Sequence, residues 1–439
     1  MNNFLRSSTL IGSYCFISNL IVIEKYGYDK KNELEEIINL PIFSPSFSRK
    51  YNHSEVELLA LIYHEITHFL DFTTTTWGFE YQFRKSNYIK TKNETQLDVF
   101  RLNFIELTMD ETHKKIINPR TNLLQNKMEH ILLYDNDIGG IIMMIFSSNN
   151  KINLTSSINM RCLIESHAYV VEILIKLRCI ECEPDVNERT ILLIQLQDDF
   201  EKFLSNPEFI EYNMLIILAK KHFPELTLKE LATFLNILFL RVLDFGMETL
   251  GGLANLFDYT YKNKEIGRHI SNEIRRGHCR HIVAFKLILL FFEYVKNNED
   301  MLPLLKNNPY HFINHFLNNF SFYYWEDNKH EFFNIFSFFE INDINTFDTK
   351  MLFDSIKINR KDYQTLYQMR NISDINLPDI FLNDLSCIVV PSRIDIDISE
   401  YSDNPIISFV KKETMKKQKR FHMNNNSVIE FYKQFSSSF

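Results

Sequence analysis

Apolar positions along this chain follow two rhythms, and the changes between them mark its elements. From about residue 55 to the threonine cluster at 73–76 the spacing is helical. Leu59, Ile62, Ile66, Phe69 and Leu70 form one stripe, while Leu61, His64, His68 and Asp71 share another face. Ser54 followed by Glu57 reads as a capping box that starts this helix, and Gly78 reads as its terminator. Residues 91–118 predict a second helix, with Thr91 and Glu94 spaced as another capping box. Residues 157–179 predict a third, apolar nearly all round and therefore expected to be buried. Strands are expected at 139–148, "GGIIMMIFSS", and as a pair within the Ile- and aromatic-rich stretch 8–23.

After Pro184 helical segments follow one another to about residue 340, one of them opened by Thr227 and Glu230 as a capping box. Residues 340–404 turn richer in Asp, Asn and Ile, with a further strand expected at "CIVVP". The pattern predicts an α+β protein, predominantly α-helical. It divides into an N-terminal domain with a small sheet (1–183), a helical domain (184–380) and a small C-terminal segment with a basic tail (381–439).

Composition narrows the functions available. Only 10 glycines occur in 439 residues, and no phosphate loop or dinucleotide fingerprint is present. A net charge of −8 argues against nucleic acid or an anionic membrane as partner, and the basic run at 411–420 reads as a solvated helix face. The six cysteines are scattered, as reduced thiols would be. No stretch has the apolar length of a membrane span, and 8–23 lacks a small-residue cleavage site, so a cytoplasmic protein is expected.

The candidate chemistry lies on the first helix, in "LIYHEITHFLDFTTTTWG" (61–78). His64 and His68 are four apart, which puts two imidazoles on one face with β-carbons about 6 Å from each other, able to converge on one Zn2+ ion. Glu65 is rotated by about 100° and can reach an attacking water as general base without being a ligand. A third ligand is needed. The position six after His68 is Thr74, so a third histidine there is excluded. Glu165 and Glu172 share one face of the apolar helix with Ala168, and two carboxylates in such surroundings need a cation or a proton. Glu165 is the leading candidate, with Glu94 and Glu172 as rivals. Asp71 is expected to orient a histidine, and His167 or Tyr169 to stabilise an oxyanion.

"HEITHFLDFTTTTWG" followed by "IESHAYVVE" resembles the HExxH zincin metallopeptidases of the gluzincin kind, whose third ligand is a glutamate on a later Glu-x-x-Ala helix. It is similar in particular to uncharacterised bacterial proteins with a Thr-x-x-Gly ending, here Thr75 to Gly78. The resemblance covers about residues 40–180. It implies a zincin-like N-terminal domain, bound Zn2+, Glu65 as base and hydrolysis of peptide bonds. With no secretion signal read, the expected substrate is one or a few intracellular proteins, and the helical region is the place for a regulatory partner. Two other readings compete: a helical interaction protein with a structural or degenerate zinc site, and a zinc hydrolase acting on something other than peptides.

Overall fold

The computed structural model describes residues 12–15, 19–82, 114–135, 139–260, 263–319, 359–360, 369–384 and 386–390. It is a mixed α+β fold, mostly helical. Glu94, its capping box and the basic tail at 411–420 lie outside the described residues.

Two long helices pack against each other at the centre: His53–Thr74, here the histidine helix, and Met160–Cys182, the glutamate helix. The histidine helix starts one turn's fraction earlier than the sequence suggests. Asn52, not Ser54, is the cap: its side chain accepts from the Glu55 N–H while the Glu55 carboxylate accepts from the Asn52 N–H. Both residues pairs fit the sequence signature, and Asn52 wins because its extended backbone (φ −84°, ψ 162°) leaves the chain free to enter there.

The same helix ends at Thr75, and the chain re-enters a helix at once over 76–82. The Thr75 hydroxyl donates to the Asp71 carbonyl and accepts from the Gly78 N–H, closing one helix and capping the next. Gly78 is therefore not a terminator. A β-carbon there would sit 2.1 Å from the Asp71 carbonyl oxygen and 2.6 Å from two Phe72 backbone atoms, so only glycine lets the second helix fold back this closely. Gly78→Ala should destabilise the protein by about 1–3 kcal/mol, the usual cost of overpacking, and urea unfolding at wild-type midpoint would disprove this close-approach argument.

Strands β1 (Ser13–Cys15) and β2 (Leu20–Ile23) form the expected N-terminal antiparallel pair and lie on the histidine helix. A second sheet holds β3 (Lys114–Ile116), β4 (Lys127–Asp135), β5 (Gly139–Ser148) and β6 (Lys151–Ile158), in the order β3-β6-β5-β4 and antiparallel throughout. β3 occupies residues read from sequence as the end of a helix (91–118). Asn149 and Asn150, both with positive φ (49° and 60°), make the two-residue turn from β5 to β6. β6 runs straight into the glutamate helix, whose Asn159 cap accepts from the Cys162 N–H.

β7 (Ile380–Leu382) pairs in parallel with β2, placing Ile380 beside Ile21, and β8 (Cys387–Ile388) extends the same sheet. Beyond 184, helices Ile210–His222 and Leu228–Asp244 pack on the glutamate helix, and one hydrophobic core runs from Tyr14 to Val390. Among the described residues no helix is long and apolar enough to cross a membrane.

Candidate metal centre

His64 and His68 face the glutamate helix from successive turns, and Glu165 meets them from its second turn. The two Nε2 atoms are 3.1 Å apart, and Glu165 Oε2 is 3.4 Å from each. Among the described residues this is the group of His, Cys, Asp and Glu side chains close enough together to hold a metal ion. Ligands on a tetrahedron about 2.0–2.1 Å from zinc are separated by about 3.3–3.4 Å, a spacing that the two 3.4 Å edges meet and the 3.1 Å edge falls a little short of. Two imidazole nitrogens and a carboxylate oxygen are a donor set that suits Zn2+.

The surroundings favour positive charge inside that triangle. All three side chains are 1% exposed or less. Burial opposes ionisation of Glu165, yet His68, His64 and Arg161 hold its carboxyl well below the usual carboxylate range. Burial likewise opposes protonation of His64, but hydrogen bonds to Glu165 and Glu172 raise it well above an ordinary imidazole. In His68 burial prevails and its pKa is lowered. Carboxylates thus draw a proton into the cluster, where a divalent cation would replace it.

Glu172 does not join the triangle. Its Oε1 lies 2.6 Å from His64 Nδ1, the arrangement that fixes a ligating imidazole's tautomer and ring orientation. Glu172→Ala should weaken zinc binding by about 10–100-fold while leaving the fold intact; competition titration with a zinc chelator measures it, and an unchanged dissociation constant would refute the orienting contact.

Glu65 is fully buried, and among the described residues no hydrogen bond reaches either carboxylate oxygen. Burial, aided by the charges of Glu165 and Glu172, outweighs His64 and pushes its pKa up to about 8. Gly12 is pressed against it: a β-carbon at Gly12 would lie 3.0 Å from Glu65 Oε1. Two residues on, Tyr14 stacks its ring on His68 with centroids 6.2 Å apart.

Three candidate residues from the sequence are placed elsewhere. Asp71 does not orient a ligand; it pairs with His167 Nδ1 at 2.9 Å. His167 in turn sets Nε2 3.1 Å from Asn236 Oδ1, so its ring ties three helices together and is not aimed at an oxyanion. Tyr169 stacks on Phe203, centroids 3.8 Å apart. Helical spacing put Asp71 near the histidine face and Tyr169 near that of Glu165, with His167 about 200° round from Glu165; neighbouring side chains hold all three off the cluster.

Sequence reasoning missed Arg161 and Tyr212. Arg161 is 5% exposed, four residues before Glu165, with Nε 3.5 Å from Glu165 Oε1. An arginine one turn before the ligand, in the apolar first half of that helix, was the available signal. Tyr212 packs beside His64, ring centroids 6.4 Å apart, on a helix that no local pattern ties to the site. Comparison with protein-family models, with curated proteins and with solved structures gave no match.

Proposed function

We propose that this chain is a zinc-dependent hydrolase of peptide bonds, acting in the cytoplasm on one or a few proteins. The observation that carries the reading is Glu65, a buried carboxylate with no hydrogen-bond partner among the described residues, next to two imidazoles and a third carboxylate that could hold the ion. An unpartnered buried carboxylate is costly, and a purely structural metal site has no use for one. His64, His68 and Glu165 would hold zinc, which when bound supplies Lewis acidity toward the substrate carbonyl and makes a nearby water more acidic.

The work of this chain's own residues follows from their places. Glu65 takes a proton from the attacking water as its oxygen adds to the carbonyl carbon. The carbon–nitrogen bond then breaks, and Glu65 returns the proton to the leaving amine. With zinc bound, the Glu65 pKa would be drawn down from its metal-free position, leaving the carboxylate able to accept that proton. Glu172 keeps the His64 ring in place during the cycle.

Complete burial of the cluster supports a narrow substrate range, because the elements around it must part before a polypeptide can reach Glu65. The same burial favours a second reading, a structural metal site within a helical interaction protein. Purified chain incubated with an intracellular protein extract, beside Glu65→Gln, separates the two by mass-spectrometric mapping of new termini. Termini made by wild type and absent with the variant support hydrolysis. Metal bound by both proteins with no new termini would favour the structural site.

A further inference from the structure

Glu165 offers its two oxygens to different partners. Oε2 sits 3.4 Å from both imidazole nitrogens, whereas Oε1 sits 3.5 Å from the Nε of Arg161. Arg161 lies one helical turn before Glu165 on the same face and is 5% exposed, so its charge is held almost wholly out of water. Beside a site meant for a divalent cation a buried guanidinium would repel the ion, and the carboxylates of Glu165 and Glu211 offset its charge. Its place against Glu165 Oε1 allows it a use beyond packing.

The carboxylate itself suggests what that use is. A glutamate can coordinate a metal through one oxygen or through both, and two-oxygen binding fills the position that a hydrolytic site leaves open for water or substrate. With Oε1 drawn to Arg161, turning the carboxylate to present both oxygens to the ion would break the ion pair. Resting on the zinc reading above, we propose that Arg161 is a positioning residue that restricts Glu165 to single-oxygen coordination and so keeps the fourth position open.

Co2+ loaded into the full chain in place of zinc tests this without any activity assay, because four-coordinate Co2+ absorbs visible light far more intensely than five- or six-coordinate Co2+. Wild type should show the intense four-coordinate bands. Arg161→Met should weaken them several-fold as the carboxylate turns both oxygens to the ion, with the metal still bound. Arg161→Lys keeps a positive charge on a smaller head, and its band intensity should fall between the two. Methionine-variant bands as intense as those of wild type would overturn the proposal. Should that variant fail to fold by circular dichroism, the lysine variant decides alone: intermediate values support the proposal and wild-type values overturn it. A wild-type chain that binds neither Co2+ nor Zn2+ sinks the zinc reading itself, a failure seen before any variant is made.

Discussion

Alanine at His68 is expected to leave the folded chain without tightly held zinc. His68 is fully buried and supplies one corner of the 3.1 by 3.4 Å triangle, with no spare imidazole in the group able to replace it. Elemental analysis should find about one zinc per wild-type chain, as for a three-residue catalytic site, and only traces in the variant. Thermal unfolding gives an independent readout. Zinc at a hundredfold excess over its dissociation constant should stabilise wild type by about 2.7 kcal/mol and His68→Ala hardly at all. Glu165→Ala should behave in the same way, whereas Glu94→Ala should retain the metal if Glu165 is the third ligand. A His68→Ala protein that keeps one equivalent of zinc would mean the metal, if any, is bound elsewhere.

Glu65→Gln is expected to separate metal binding from catalysis. Glu65 stands outside the His64, His68 and Glu165 group, so zinc content should match wild type. Turnover should fall by at least about 10²-fold, the scale of lost general-base catalysis. The substitution should also stabilise the metal-free protein. In the folded chain the Glu65 pKa is pushed up to about 8 from 4.5. Between those values the folded state keeps a proton that the unfolded state has released. The stability tied to that proton is therefore fully present below pH 4.5 and is lost as the pH rises through 8. Glutamine, neutral at every pH, removes this decline, a gain on the order of a few kcal/mol at alkaline pH. Urea titrations of both metal-free proteins at pH 5 and pH 9 measure it. Equal loss of stability in the two would show that Glu65 is not the group responsible, and full activity in the variant would remove it from the mechanism.

Much of the site could be read before the fold because its parts are local or periodic. His64, Glu65 and His68 lie within one and a half turns of a helix, where backbone geometry alone sets their relative directions. Glu165 was legible for an energetic reason: a carboxylate in a helix as apolar as Met160–Cys182 has to meet something positive. The Thr227–Glu230 capping box and the strand at 139–148 belong to the same class, since hydrogen bonds within a few residues specify the one and a short, uninterrupted apolar run marks the other.

Other features depended on which distant segments meet. The Glu172 contact to His64 and the diversion of Asp71 to His167 join helices about a hundred residues apart in sequence. Gly78 was read as a terminator because glycine often ends helices, whereas the backbone of Asp71 and Phe72 crowding its α-carbon gives the reason it is needed. The C-terminal strands show the same limit: nothing local in "CIVVP" or its neighbours says that β7 will lie beside β2. Sequence alone determined the helix that carries His64, Glu65 and His68, though not its caps, because a periodic pattern is settled within a few turns. Tertiary structure decided which carboxylate completes the cluster, what holds it and how deeply it is buried, because those depend on side-chain direction and on packing between segments far apart in the chain.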